Sequence, residues 1–181
     1  MSAIRADEAG MSEGMDVSQD ALERARKVKL LILDVDGVLT DGRIMYASDG
    51  TEVECFDVRD GHGIKLAQRA GIRVALLSGR ASKAVRYRAR ELGIELVYQR
   101  SLRKGETYKQ ILADAAVEDA DVAYIGDDVV DIPVLQRAGF PVAVSNAPSE
   151  VRQRAVWVTR TPGGYGAVRE AIELILQAQG K

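Results

Sequence analysis

The sequence predicts an α/β domain built on a doubly wound parallel sheet, with a β-hairpin insertion and no cap domain. Three observations carry that expectation. Apolar runs of strand length end abruptly at polar residues, stretches with helical periodicity lie between them, and glycines fall where helices would stop.

Taken in order, residues 1–17 mix Arg5, Asp7, Glu8 and Glu13 with small residues and lack the apolar stretch of a secretory signal. They read as a disordered leader, followed by one domain over 18–181. Residues 18–27 form a short polar helix, with Ser18 or Asp20 as its cap. The first buried strand, 28–33, stops at Asp34. Segments 43–47 and 51–56 flank Ser48-Asp49-Gly50, and an Asp-Gly pair between strand-like segments signals a hairpin. This hairpin, about 43–57, is the only sizeable insertion after the first strand and leaves no room for a lid domain. Next come a helix over 63–70, a strand over 73–77 ending at Ser78-Gly79, and a helix over 81–92. A weak strand near Leu96 precedes a helix over 104–116, and the strand 122–125 ends at Gly126-Asp127-Asp128. A helix over 132–138, two weaker strands over 141–144 and 156–159, and a helix over 165–177 complete the alternation. Gly71, Gly93 and Gly139 stand where C-terminal caps are expected. Right-handed crossovers then place every strand C-terminus on one edge, where such sheets bind ligands.

With 181 residues the chain is long enough to bury a real core, and a net charge of −2 gives it no electrostatic pull toward nucleic acid or an anionic membrane. No apolar run approaches the length of a transmembrane helix. Cys55, the single cysteine, can form neither an internal disulfide nor a thiolate metal site, and reads as a small apolar strand residue. The expected compartment is reducing, most simply the cytoplasm.

The residues that end the strands carry the chemistry. Asp34, Asp36, Ser78 and Asp127 or Asp128 fall at or just past strand ends, and Lys104 opens a helix beyond a weak strand. Such a cluster of carboxylates is costly without a cation, and Mg²⁺ favours oxygen ligands shared with a substrate phosphate. A carboxylate approaching a phosphate dianion at about 4 Å meets repulsion of roughly 8 kcal/mol at an effective dielectric near 20, so Mg²⁺ and Lys104 are needed as neutralisers. In Asp34-Val35-Asp36-Gly37 the first carboxylate would form an aspartyl-phosphate. The second would protonate the leaving oxygen and then activate water. Ser78 and Lys104 would each hold a phosphoryl oxygen.

Asp34-Val35-Asp36-Gly37-Val38, Ser78, Lys104 and Gly126-Asp127-Asp128 resemble the four motifs of the haloacid dehalogenase superfamily of phosphatases. The resemblance covers nearly the whole chain from Val28. More narrowly, the chain looks like a cap-less branch that acts on the phosphate of an eight-carbon sugar acid. The features carrying it are Thr40-Asp41-Gly42, Val58-Arg59-Asp60-Gly61, Gly79-Arg80 and Gly163-Gly164-Tyr165-Gly166-Ala167-Val168-Arg169-Glu170. The resemblance implies that Asp34 is the nucleophile and Asp36 the general acid/base. It also implies Mg²⁺ held by Asp34, the main-chain carbonyl of Asp36 and Asp127, with Asp128 and Asp131 supporting the metal shell. It further implies a homotetramer with its hairpins at the centre, a neighbour's C-terminal segment closing each site, and a place in lipopolysaccharide precursor synthesis. The substrate carboxylate would need cations beyond those on phosphate. Arg59, Arg80 and Arg88 are the candidates, joined by Lys65 where relatives often carry arginine, with Asp60 and Gly61 beside them in the motif.

Plainer readings stand next to these. Lys83, Arg86, Arg88 and Arg90 also fit the solvated face of a helix, and Asp131 also fits a cap before Pro133. His62 either lines the pocket or faces solvent. Gly163-Gly164-x-Gly166 lacks the spacing of a dinucleotide loop, and Trp157 and Tyr124 read as packing residues. Two other functions share much of the chemistry: a phosphatase for a nine-carbon sialic-acid-like ester, and a receiver domain that stores an aspartyl-phosphate. The glycine-rich tail favours the eight-carbon ester. The shared exit of Asp34 and Asp36 from one strand favours turnover. Removal of the chain from Gly163 onward is expected to impair catalysis more than folding.

Overall fold

The computed structural model describes residues 17–181. The expected leader lies outside them except for Val17, which packs against the core. Helix α1 (Gln19–Ala25) starts at Ser18, whose Oγ accepts from the Ala21 amide at 3.2 Å. Strand β1 (Leu30–Leu33) is buried on both faces, as its unbroken apolar run requires. The hairpin pairs β2 (Met45–Tyr46) with β3 (Glu52–Val53) through an Asp49-Gly50 turn, Gly50 having φ +80°. Its strands are shorter than expected, and Cys55 lies beyond β3, exposed rather than in a strand.

Helix α2 (Val58–Arg69) begins five residues earlier than the sequence suggested, capped by Asp57, whose carboxylate accepts from the Arg59 amide at 2.7 Å. Then follow β4 (Arg73–Leu77), α3 (Lys83–Leu92), β5 (Leu96–Tyr98), α4 (Lys104–Ala115) and β6 (Val122–Gly126). Ser82 caps α3 at its start and Gly93, at φ +67°, at its end. Asp128 caps a 3₁₀ turn, Val129–Asp131, that runs into α5 (Ile132–Leu135). Gly139 is not that helix's cap. A Cβ there would stand 2.6 Å from the Ala120 carbonyl oxygen, so close backbone approach is what requires glycine. The chain finishes with β7 (Phe140–Ala143), α6 (Ser149–Arg152), which the sequence reading missed, β8 (Trp157–Val158) and α7 (Ala167–Ala178).

The six strands pair in parallel in the order β5-β4-β1-β6-β7-β8. With right-handed crossovers, α2 and α3 lie on one face of the sheet and α4 and α5 on the other. The last helix returns to the first face, where α7 packs on α2 and α1. It buries Val168, Ile172, Leu174 and Ile175. It is capped from another element: Asp60 on α2 accepts from the Arg169 amide at 2.7 Å. Burial of Asp60 pushes its carboxyl up to about 6. Beyond α7, Lys181 Nζ donates to the Ala70 carbonyl at 2.8 Å. The C-terminal residues therefore pack on their own chain at the sheet edge opposite the strand ends. No helix among the described residues is long and apolar enough to cross a membrane.

Candidate active site

At the C-terminal edge of the central strands, three carboxylates surround one ammonium. Asp34 leaves β1, while Asp127 and Asp131 follow β6. Each offers an oxygen within 4.8 Å of the others. Lys104, at the first turn of α4, places Nζ 2.8 Å from Asp34 Oδ1 and 2.6 Å from Asp131 Oδ1. Asp34, Lys104 and Asp131 are all buried. Asp131 is tied further by the Tyr124 hydroxyl and by the Asp127 and Asp128 amides, at 3.0 and 3.1 Å. Tyr124, read from sequence as packing, thus helps to fix the site through its hydroxyl.

One ammonium against three carboxylates leaves two negative charges if all ionise. Burial, with Asp131 alongside, pushes Asp34 well above the usual carboxylate range, and Lys104 opposes that rise. Burial and Asp131 likewise push Asp127 up to about 6. Lys104 stays firmly protonated because Asp34 and Asp131 outweigh its own burial. Asp127 Oδ1 is buried without a hydrogen-bond partner. An orphaned oxygen facing two further carboxylates fits a hard divalent cation with oxygen ligands.

Glycines shape the same edge. Gly37 has φ +93°, and a Cβ on it would lie 2.0 Å from Asp127 Oδ2. On its other side Gly163 packs so closely that a Cβ there would lie 1.7 Å from the Gly37 carbonyl oxygen, and the Gly164 amide donates to Val38 O at 2.9 Å. The glycine-rich segment before α7 is therefore a brace beneath the Asp34 loop. Glu170 holds that brace by accepting from the Arg160 and Thr161 amides at 3.0 and 2.9 Å. Gly37→Ala is expected to displace Asp127 and to cost about 1–2 kcal/mol in backbone strain. A titration of activity against Mg²⁺ should show the half-saturating concentration rising at least tenfold; an unchanged requirement would contradict the packing described.

Asp36 turns its carboxylate away from the trio. Its Oδ2 accepts from Ser78 Oγ at 3.2 Å and its Oδ1 pairs with Arg80 Nη1 at 3.0 Å. Ser101 bonds its amide to Ser78 O at 3.0 Å, and this loop, turned by Arg100 at φ +60°, leads Lys104 inward. Asp128 is exposed and caps its 3₁₀ turn rather than joining the three clustered oxygens.

The expected substrate cations are more scattered. Arg80 alone among them contacts the carboxylates at the strand ends. Arg59 pairs with Asp57 at 2.7 Å and donates to the Tyr165 carbonyl at 2.6 Å, which puts it at the rim beside the brace. Lys65 donates to Leu92 O at 2.6 Å, and Arg88 pairs with Glu91 at 2.9 Å while lying over the Phe56 ring. Asp60 and Gly61 are buried within α2, Asp60 at the start of α7 and Gly61 against Arg88, and His62 is exposed.

Parallel sheet, strand-end carboxylates and buried lysine together define a haloacid dehalogenase-like hydrolase, and residues 95–172 match that family. The 3-deoxy-D-manno-octulosonate 8-phosphate phosphatase of Escherichia coli K12 is 46% identical over 165 residues, covering 91% of this chain and 88% of that protein. The crystal structure of the Yersinia pestis 3-deoxy-D-manno-octulosonate 8-phosphate phosphatase superposes with a TM-score of 0.90 at 44% identity, over 91% of this chain and 89% of that one. The Moraxella catarrhalis enzyme, solved with magnesium, phosphate and the sugar acid, gives 0.87 at 40% identity, over 89% and 92%. The chain belongs to the 3-deoxy-D-manno-octulosonate 8-phosphate phosphatase family.

Proposed function

We propose that the chain hydrolyses 3-deoxy-D-manno-octulosonate 8-phosphate to the free sugar acid and phosphate, with Mg²⁺ as cofactor, in lipopolysaccharide precursor synthesis. The observation that carries this reading is the buried Asp34–Lys104–Asp131 cluster with its orphaned Asp127 oxygen, in a chain 46% identical to such an enzyme.

Asp34 is the nucleophile: its carboxylate bonds to phosphorus as the ester P–O bond breaks, and Asp36 gives its proton to the departing sugar oxygen. Asp36 then takes a proton from water, which attacks phosphorus and releases Asp34 and phosphate. Lys104 and Ser78 hold phosphoryl oxygens through the transfer. Asp34, the Asp36 carbonyl and Asp127 would hold the Mg²⁺, backed by Asp131, which the Asp128 amide helps to fix; when bound it would neutralise charge on the phosphoryl group. Arg59 and Arg80 are the cations this reading keeps for the sugar carboxylate, because Arg59 lies at the rim beside the brace and Arg80 contacts Asp36 at the strand ends, whereas Lys65 and Arg88 reach toward the end of α3.

The reading includes a cytoplasmic homotetramer. The hairpin and its approach leave Ile44, Met45, Tyr46 and Val53 between 41% and 67% exposed, an apolar surface that packing of hairpins would cover. Phosphate release from a panel of sugar-acid phosphates tests the substrate. The eight-carbon ester should have the highest kcat/KM, chelation should remove activity and Mg²⁺ should restore it. Preference for a nine-carbon ester would overturn the assignment.

A further inference from the structure

We infer that Glu52, on the hairpin, is a positioning residue for the reaction: it anchors Arg80 so that the guanidinium holds Asp36 where it can reach the leaving oxygen. The inference rests on the reading of Asp36 as the acid. Arg80 spans two carboxylates, with Nη1 3.0 Å from Asp36 Oδ1 and Nη2 paired with Glu52 Oε1. The second oxygen of Asp36 is held by Ser78 Oγ. Without substrate each oxygen of the acid therefore has one donor, and once Ser78 turns its single O–H to the phosphate, Arg80 is the donor that remains. One donor hangs from β4's end, and the other is fixed from the hairpin.

An exposed ion pair would carry little consequence. This one is partly withdrawn, with side-chain exposures of 34% for Arg80, 28% for Asp36 and 21% for Glu52. A planar fork gripped at both ends has few orientations left, whereas an arginine held at one end can swing. Tyr46, opposite Glu52 in the hairpin register, covers the same region. Glu54, just past β3, lies close enough to feel the charges of Asp36, Glu52 and Arg80, but it forms neither a hydrogen bond nor an ion pair with Arg80. The hairpin thereby joins the chemistry without presenting a group to the substrate.

The test uses the full chain with Mg²⁺ and two esters of similar size, phenyl and p-nitrophenyl phosphate. Phenol needs a proton to leave readily, and p-nitrophenolate does not. The ratio kcat/KM covers only events through the first P–O cleavage, so release of phosphate from Asp34 does not enter it. Glu52→Gln should lose about tenfold on phenyl phosphate and under about twofold on the p-nitrophenyl ester, a fraction of what a general acid contributes. Glu52→Asp should recover much of that loss. The thermal unfolding midpoint should not move. Equal losses on both esters, or a change confined to KM for the sugar-acid ester, would overturn the inference. Equal losses by Asp36→Asn on the two esters would instead overturn the reading of Asp36, and the inference with it.

Discussion

Asp34→Asn is expected to abolish turnover while raising the stability of the metal-free protein. The amide keeps the shape of the side chain and an oxygen for Lys104, but it cannot attack phosphorus. Loss of a covalent nucleophile should reduce phosphate release by roughly 10⁴-fold or more. The stability effect has the opposite sign because the native carboxylate is buried beside Asp131 and Asp127, at a cost that Lys104 only partly offsets. Neutralising it should leave Lys104 to Asp131 alone. A gain of about 1 kcal/mol would lift the thermal midpoint by roughly 2–4 °C. Calorimetry and a phosphate assay check the two halves separately. Substantial residual turnover would refute the nucleophile, and a lower midpoint would refute the charge balance.

Deletion of residues 163–181 should unfold the protein, contrary to what the sequence suggests. Read as a tail, this segment looks removable. In the structure α7 places Val168, Ile172, Leu174 and Ile175 at 1% exposure or less. Burying four such side chains contributes about 6–12 kcal/mol, and the whole stability of a domain is commonly about 5–15 kcal/mol. Their loss would also strip cover from α2 and leave Asp60 buried no longer against a helix start. Circular dichroism should show loss of the cooperative transition. A truncated chain that melts sharply with native-like helix content would contradict the packing.

Much of the architecture was legible because buried parallel strands are continuous apolar runs that break off at functional residues. The strand ends at Asp34, Ser78 and Asp127 follow from that pattern. What the pattern hid depends on neighbours. The start of α2 was missed because Gly61 argues against a helix interior. Neighbours crowd both glycines: a Cβ on Gly61 would push aside the Arg88 guanidinium, 2.2 Å away, and one on Gly63 would press on Arg169 at Cδ, 3.0 Å, and Cα, 3.3 Å. Asp131 read either as support for the metal shell or as a local cap, and its meeting with Lys104 and Tyr124 depends on two other elements. The Asp60 cap of α7 joins residues 109 positions apart, a distance that no periodicity encodes.

The placement of α7 also bears on how the polypeptide is born. Translation proceeds at about 5–20 residues per second. All six strands are therefore made before Ala167–Ala178 exists to cover α2 and α1. Until then the nascent chain leaves Gly63 of α2 without Arg169 and Ile172, which pack against it in the finished protein. Completion of the fold must await the emergence of α7 from the ribosome, and a chaperone that shields greasy surface would act in that interval.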